Sequence, residues 1–148
     1  MTSALFTDSD FAEFIDDISA PFMSGQIARW RARIRLPFSM VTGAGPVTLK
    51  SDGDIVRNFR LYLEAVKAMG LNFIHREPLG VEHCEDGTVL ATYRTHLMRN
   101  GTRMVDPYTS TALLHPDPEG WRMSAILNAR GHHDWTGRPR KTLESEHD

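Results

Sequence analysis

The sequence has little cysteine, no long apolar run and almost no excess charge, and each shortage excludes a class of protein. Cys84 is the single cysteine, so neither an internal disulfide nor a cysteine-cluster metal site is expected. No stretch approaches the roughly 20 apolar residues that a transmembrane helix needs. Seventeen basic and nineteen acidic side chains give a net charge of -2, so no global field attracts nucleic acid or anionic lipid. We therefore expect no nucleic-acid partner and no membrane partner.

The first residues of the chain also lack the basic patch and apolar core of a signal peptide. They are acidic instead, with Asp8, Asp10, Glu13, Asp16 and Asp17. A single cysteine suits a reducing compartment, and the two features together predict a cytoplasmic protein. A length of 148 residues with 41% hydrophobic residues is typical of one globular domain.

Apolar residues at helical spacing predict helices in the first half of the chain. Thr7 and Ser9 offer caps for a helix that Pro21 ends. The segment 24–34 fits either a helix or a strand, because its apolar residues share a helical face while its arginines alternate. We prefer a helix there. A hairpin over 36–42 and 47–49 should follow, with Gly and Pro in its turn.

A second long helix is predicted between Ser51 and Gly70. Ser51 with Asp54 three positions later resembles a capping box, and Gly70 is suited to end a helix in the left-handed conformation. The period then changes to two, which predicts strands over the ranges 71–83, 88–99, 103–115 and 121–129. The turns between these strands are short, so the strands should pair consecutively and antiparallel. Residues 1–131 are predicted to form one α+β domain, followed by a polar tail over 132–148.

Four features in this order resemble the nuclear transport factor 2-like superfold, which includes SnoaL-like polyketide cyclases, ketosteroid isomerases and dehydratases. They are Leu36-Pro37-Phe38, the capped helix from Ser51, Arg99-Asn100-Gly101, and Glu119-Gly120-Trp121-Arg122-Met123. The resemblance implies N-terminal helices packed in the concave face of a curved antiparallel sheet, a cone-shaped barrel of cystatin-like topology with a pocket. It also implies a homodimer through the outer sheet face, where Val105, Leu113 and Leu127 would be exposed.

The ketosteroid isomerase chemistry does not follow from this resemblance. That activity depends on a carboxylate base beside a Pro-Phe pair and on an oxyanion hole of Tyr and protonated Asp. Leu36 precedes Pro37-Phe38 here, and by approximate register the Tyr and Asp positions fall at Phe14 and near Ser110. Leucine cannot abstract a proton, so isomerisation by that set of groups is not expected.

Alternation along the strands predicts which side chains face the helices. In the first long strand the odd-numbered residues are the more apolar, which places His75 on the buried face. In the second strand, Ala91, Tyr93, Thr95 and Leu97 share the inner face. Periodicity hardly separates the two faces of the third strand. The resemblance favours the set with Asp106, Tyr108, Ser110, Ala112 and Leu114, and on the last strand Ser124, Ile126 and Asn128.

His75 and Asp106 are the candidate catalytic residues. An imidazole in an apolar cleft can act as a base near neutral pH, although a buried core histidine has the same pattern. Asp106 would orient His75 or bind a cationic ligand, or would occupy a strand edge before Pro107.

Four residues are candidate contacts for a substrate. Tyr93 and Tyr108 could donate to a ligand oxygen or belong to the core, and Trp30 could cap the pocket or simply pack. Asn128 is a candidate hydrogen-bonding group. His132-His133-Asp134 lacks a further ligand at metal spacing, so neither a metal nor a cofactor is expected.

These residues predict a pocket for a small hydrophobic molecule, in a protein that is either a cofactor-free enzyme of the cyclase, isomerase or dehydratase kind or a simple binding protein. The alternative hypothesis is a non-enzymatic dimeric scaffold or accessory binding domain whose interior is filled by its own side chains.

Overall fold

The computed structural model describes residues 5–42 and 45–127 of the chain. The elements within these residues are α1 (Asp8–Ser19), α2 (Pro21–Ser24), α3 (Ile27–Arg31), β1 (Ile34–Thr42), β2 (Gly45–Leu49), α4 (Asp52–Met69), β3 (Phe73–His83), β4 (Val89–Arg99), β5 (Thr102–Arg103), β6 (Tyr108–His115) and β7 (Arg122–Leu127). The predicted tail over 132–148 lies outside the described residues.

Local capping explains where the two long helices begin. At α1, the Thr7 hydroxyl accepts from the Asp10 backbone N–H at 3.1 Å, and the Asp10 carboxylate accepts from the Thr7 N–H at 3.0 Å. At α4, Ser51 caps the Asp54 N–H as predicted. The Asp54 carboxylate, however, accepts from the N–H of Lys50, one residue before the cap, at 2.8 Å. Both helix starts are therefore fixed by neighbouring residues.

The segment 24–34 is helical over a much shorter stretch than predicted. Helix α3 covers only Ile27–Arg31, and β1 already begins at Ile34. The carbonyl of Arg33 accepts the N–H of Met123 on β7 at 2.7 Å, and Ile34 is in register with Met123. Pairing with a strand that is distant in sequence therefore ends the helix.

The strands form one curved, unclosed sheet in the order β2-β1-β7-β6-β4-β3, with β5 paired to β4. Its concave face holds the helices, which confirms the predicted α+β class. One detail differs from the prediction of an antiparallel sheet: β1 and β7 are parallel, so the sheet is mixed. That pairing brings together the first and the last strand in chain order, and no local turn in the sequence indicates it.

The predicted inner faces of β4 and of β6 are confirmed, except that Asp106 is exposed and precedes β6. Their inward residues are all buried: Ala91, Tyr93, Thr95, Leu97, Tyr108, Ser110, Ala112 and Leu114. The prediction for β3 is wrong by one residue between Phe73 and Pro78; a bulge then restores the predicted face, because Val81 lies opposite the inward Ala91. Phe73 is 54% exposed and Ile74 only 7%, because Ile74 lies directly opposite the fully buried Leu97. The even-numbered residues of this edge strand begin on the inner face, and His75 is exposed.

Strand β7 contains a bulge that changes its inward residues. Leu113 is opposite Ala125 and Leu114 is opposite Met123, so Ser124 has no partner across the strands. The hydroxyl of Ser124 is instead 2.7 Å from His115 Nε2.

Two further predictions concern the outer face and the membrane. Leu127 is 52% exposed, whereas Val105 packs against the core and is not part of an exposed outer surface. Among the described residues, no helix has both the length and the apolar composition to cross a bilayer.

Candidate functional site

A cavity lies between the helices and the concave face of the sheet. Its volume is about 80 Å³, well above the roughly 10–15 Å³ that one water requires. The lining combines apolar and aromatic side chains with a few polar groups. The lining residues are Ile18, Phe22, Trp30, Phe38, Met40, Val41, Thr42, Tyr62, Arg76, Tyr93, Thr95, Tyr108, Ser110, Met123 and Ile126.

The helical wall of the cavity is a cluster of aromatic rings. Phe22 stacks on Phe59 of α4 with ring centroids 4.9 Å apart, and Trp30 contacts both rings at 5.6 and 5.4 Å. Trp30 is 4% exposed. It therefore packs in the core and lines the cavity at the same time, so the two roles considered for it are not exclusive.

The sheet wall of the cavity carries hydroxyl groups on neighbouring strands. Tyr93 of β4 is in register with Ser110 of β6, and Thr95 with Tyr108. Burial raises the pKa of Tyr93 to about 12, while Arg76 and a hydrogen bond with Ser110 oppose that rise. The Tyr93 phenol is therefore protonated at neutral pH and can donate a hydrogen bond.

The raised pKa of Tyr93 predicts a specific loss of stability in alkali. Below pH 10 the phenol is protonated in both the folded and the unfolded chain, so the pKa difference does not lower the free energy of unfolding. Between pH 10 and 12 the unfolded chain releases the proton first, so the free energy of unfolding falls by about 3 kcal/mol. Denaturant unfolding of the wild type and of Tyr93→Phe across this interval measures the effect. The variant should show a smaller loss; equal losses would contradict the assignment.

Arg76 of β3 is the cation of the cavity wall. Its Nη1 donates to the Ile18 carbonyl at 2.7 Å and to the Ser19 hydroxyl at 2.8 Å, and its Nε donates to the Thr95 hydroxyl at 3.2 Å. The guanidinium carbon lies 6.0 Å from the Tyr93 ring centroid. The guanidinium is thus held in one position between the end of α1 and the sheet.

The structure brings three of the six predicted site residues to the cavity: Trp30, Tyr93 and Tyr108. His75 and Asp106 do not line it. Asp106 is exposed and precedes β6, and His75 is on the outer side of β3. Asn128 lies outside the described residues. The five described candidates therefore do not form one site around His75.

His75 lies in a cluster of aromatic and charged side chains on the outer face of the sheet. Its ring stacks on those of Phe73 and His96, with centroids 5.9 and 5.6 Å away. His96 Nε2 is 3.0 Å from Glu77 Oε1, and this contact lowers the pKa of the Glu77 carboxyl. Within the part of the chain that the structure describes, no three His, Cys, Asp or Glu side chains are placed to hold a metal ion.

Sequence reasoning missed Arg76, the only charged residue among the described lining residues. One indication was available: Arg76 is two residues from the apolar Ile74 and therefore lies on the same face of the strand. The larger number of apolar residues at odd-numbered positions favoured the opposite face. Of the three positions compared with the ketosteroid isomerases, Ser110 lines the cavity while Phe14 and Leu36 do not, and none carries a carboxyl group.

Comparison with known proteins gives a fold and no specific activity. No protein-family model and no curated protein matches the sequence. Solved structures do match. A domain of unknown function with a cystatin-like fold from Nostoc punctiforme is 16% identical, with a TM-score of 0.63, over 95% of this chain and 83% of that one.

Two further structures carry names that suggest an activity for those proteins. One is a candidate dehydratase from the NTF2-like family of Streptomyces avermitilis, 14% identical with a TM-score of 0.61, over 82% of this chain and 94% of that one. The other is a candidate ketosteroid isomerase from Shewanella frigidimarina, 13% identical with a TM-score of 0.61, over 82% and 96%. Identities this low establish shape alone. The chain therefore has the nuclear transport factor 2-like, cystatin-like fold.

Proposed function

We propose that the protein binds a small, mostly apolar organic molecule in the cavity between its helices and its sheet. One observation carries this proposal: an apolar and aromatic cavity has a few polar groups on one wall. Small-molecule sites in proteins have this composition, in which apolar contacts supply area and few polar groups fix orientation. The names of the dehydratase-like and isomerase-like neighbours are consistent with such a pocket.

The polar groups favour binding over acid–base catalysis. Tyr93, Tyr108 and Ser110 carry hydroxyls that could hold and polarise a ligand oxygen. The described lining residues include no carboxylate and no imidazole that would act as a general base near neutral pH. A reaction of the cyclase, isomerase or dehydratase kind would therefore need its base from the ligand or from outside these residues.

A thermal-shift screen tests the proposal directly. The probes are small aromatic and aliphatic acids, amides, ketones and alcohols, each titrated against the purified protein. A ligand at 100 times its Kd stabilises the folded state by about 2.7 kcal/mol, which for a domain of this size raises Tm by roughly 5–10 °C. We expect a saturable rise for one chemical class.

The screen also separates this proposal from the dimeric scaffold. The specific observation behind the scaffold is a set of exposed apolar side chains along edge strand β3: Phe73, Leu79 and Val81. A second copy of the chain could cover them through a two-fold interface. Flat titrations with every probe, together with a stable dimer in sedimentation, would contradict the binding proposal and favour the scaffold.

A further inference from the structure

Arg76 differs from the other arginines in how its charge is compensated. Within residues 5–42 and 45–127, every other arginine that is at least partly buried has a carboxylate within 4.0 Å; they are Arg29, Arg31, Arg33 and Arg122. Arg76 is also partly buried, but the hydrogen-bond acceptors that it contacts within these ranges are all neutral. A cation withdrawn from water is costly unless an anion pairs with it.

The bonds that hold Arg76 leave one nitrogen for a ligand. Nη1 and Nε donate to Ile18, Ser19 and Thr95, whereas Nη2 has no hydrogen-bond partner among the described residues. Two of the three acceptors lie at the end of α1, where a positive charge is also favourable to the helix dipole. The guanidinium is therefore fixed before any ligand arrives, which reduces the entropy lost on binding.

We propose that Arg76 binds the carboxylate of an apolar monocarboxylic acid, with Nη2 donating to one carboxylate oxygen. This proposal rests on the proposed function and names the chemical class of the ligand. The ring or chain of the acid would lie against the aromatic wall, which includes Phe22 and Trp30. Tyr93 and Tyr108 line the same cavity as Arg76, and their hydroxyls would complete the polar end of the site.

A carboxylate suits this site better than a phosphate or a neutral group. Arg76 is the only cationic side chain among the described lining residues, and it balances one negative charge but not two. Phosphate sites commonly use paired donors from arginine or a run of backbone N–H groups, whereas Arg76 has one nitrogen to offer. A neutral ligand would leave the charge without a counter-ion, so its binding would not use the feature that distinguishes this cavity.

Matched probe pairs test the proposal on the wild-type protein, without relying on a variant. Benzoate is compared with benzamide, phenylacetate with phenylacetamide, and cyclohexanecarboxylate with its amide, by calorimetry at pH 7.5. Each pair keeps the apolar part and changes the charge. A hydrogen bond to a charged group is worth about 1.5–3 kcal/mol, so we expect the best acid to bind roughly 10- to 100-fold more tightly than its amide.

Variants then assign the preference to Arg76. Arg76→Gln should bring the acid and the amide to similar affinity, while Arg76→Lys should retain part of the preference for the acid because it keeps the charge. Arg94→Gln is the matched control, since Arg94 is exposed on the outer face of neighbouring strand β4. It removes the same charge and should leave the preference unchanged. Because Arg76 also binds α1, each variant is first shown to be folded by its unfolding transition.

The outcomes separate this proposal from the one it depends on. Equal binding of acids and amides to the wild type would overturn the proposed role of Arg76 but would still support a ligand-binding pocket. A preference for acids that survives Arg76→Gln in a folded variant would also overturn it. Binding of none of the three pairs would contradict both the carboxylate proposal and, for monocyclic ligands, the pocket itself.

Discussion

Replacing Trp30 with alanine is expected to lower the free energy of unfolding by roughly 3–5 kcal/mol. The Trp30 side chain is 4% exposed and packs against the rings of Phe22 and Phe59. Its removal takes away the largest side chain of the aromatic wall and extends an existing cavity, so the surrounding helices can close the gap only in part. Chemical denaturation of wild type and variant, with the slope of the transition compared, measures the loss.

Trp30→Phe is the control for this prediction. Phenylalanine keeps one ring in contact with Phe22 and Phe59 and removes the second, so its cost should be clearly smaller than that of alanine. If alanine cost less than about 1 kcal/mol, Trp30 would not be a core residue and the packing described for the helical wall would be wrong. Ligand binding by the phenylalanine variant shows separately whether the indole itself contacts the ligand.

The helices could be predicted from the sequence because local chemistry determines their ends. Thr7 and Ser51 accept hydrogen bonds from backbone groups three residues ahead, and Gly70 adopts the left-handed conformation at φ 66°. None of these interactions depends on the rest of the fold. The exception is the segment around Trp30, where pairing of the next residues with β7 replaced the helix that the apolar spacing favoured.

The inner face of β3 could not be predicted in the same way. A strand in the middle of a sheet has one clearly apolar face, but an edge strand can place apolar residues on its outer side as well. Phe73 does so here, and Leu79 and Val81 are exposed at and after a bulge in the strand. Together these three residues outweighed Ile74. Because successive side chains point to opposite faces, the one-residue error predicted His75 at the cavity, where the structure has Arg76. The charged or polar group at the candidate site therefore changed from an imidazole to a guanidinium.

This exchange alters the chemistry that the cavity supports. With His75 inside, proton transfer near neutral pH would be the natural hypothesis. With Arg76 inside, beside a Tyr93 phenol whose pKa is raised to about 12 by burial, the cavity wall presents two hydrogen-bond donors. The site is therefore suited to hold an oxygen-rich, negatively charged group. The fold allows catalysis, but the described residues of this cavity favour recognition.

Replacing Ser110 with leucine is expected to weaken binding of the best carboxylate roughly 10- to 100-fold while the fold persists. Ser110 is 3% exposed, lines the cavity and is in register with Tyr93 on the sheet wall. A branched apolar side chain at this position would extend into space that a ligand needs. The hydrogen bond between Ser110 and Tyr93 is lost, at about 1 kcal/mol, but burying the leucine contributes about 1.5–3 kcal/mol in return. Crowding by the larger side chain typically costs about 1–3 kcal/mol, so the terms largely offset one another and the free energy of unfolding should change by no more than about 2–3 kcal/mol.

Thr109→Leu is the matched control, because Thr109 is the preceding residue of β6 and is exposed on the opposite face. It introduces the same side chain without reaching the cavity, so its affinity for the carboxylate should equal that of the wild type. Calorimetric titration of the three proteins gives the comparison. If Ser110→Leu bound the ligand as tightly as Thr109→Leu, the ligand would occupy another part of the protein, and the cavity would be only a packing defect. A loss confined to Ser110→Leu would place the ligand against the wall that Tyr93 and Arg76 share.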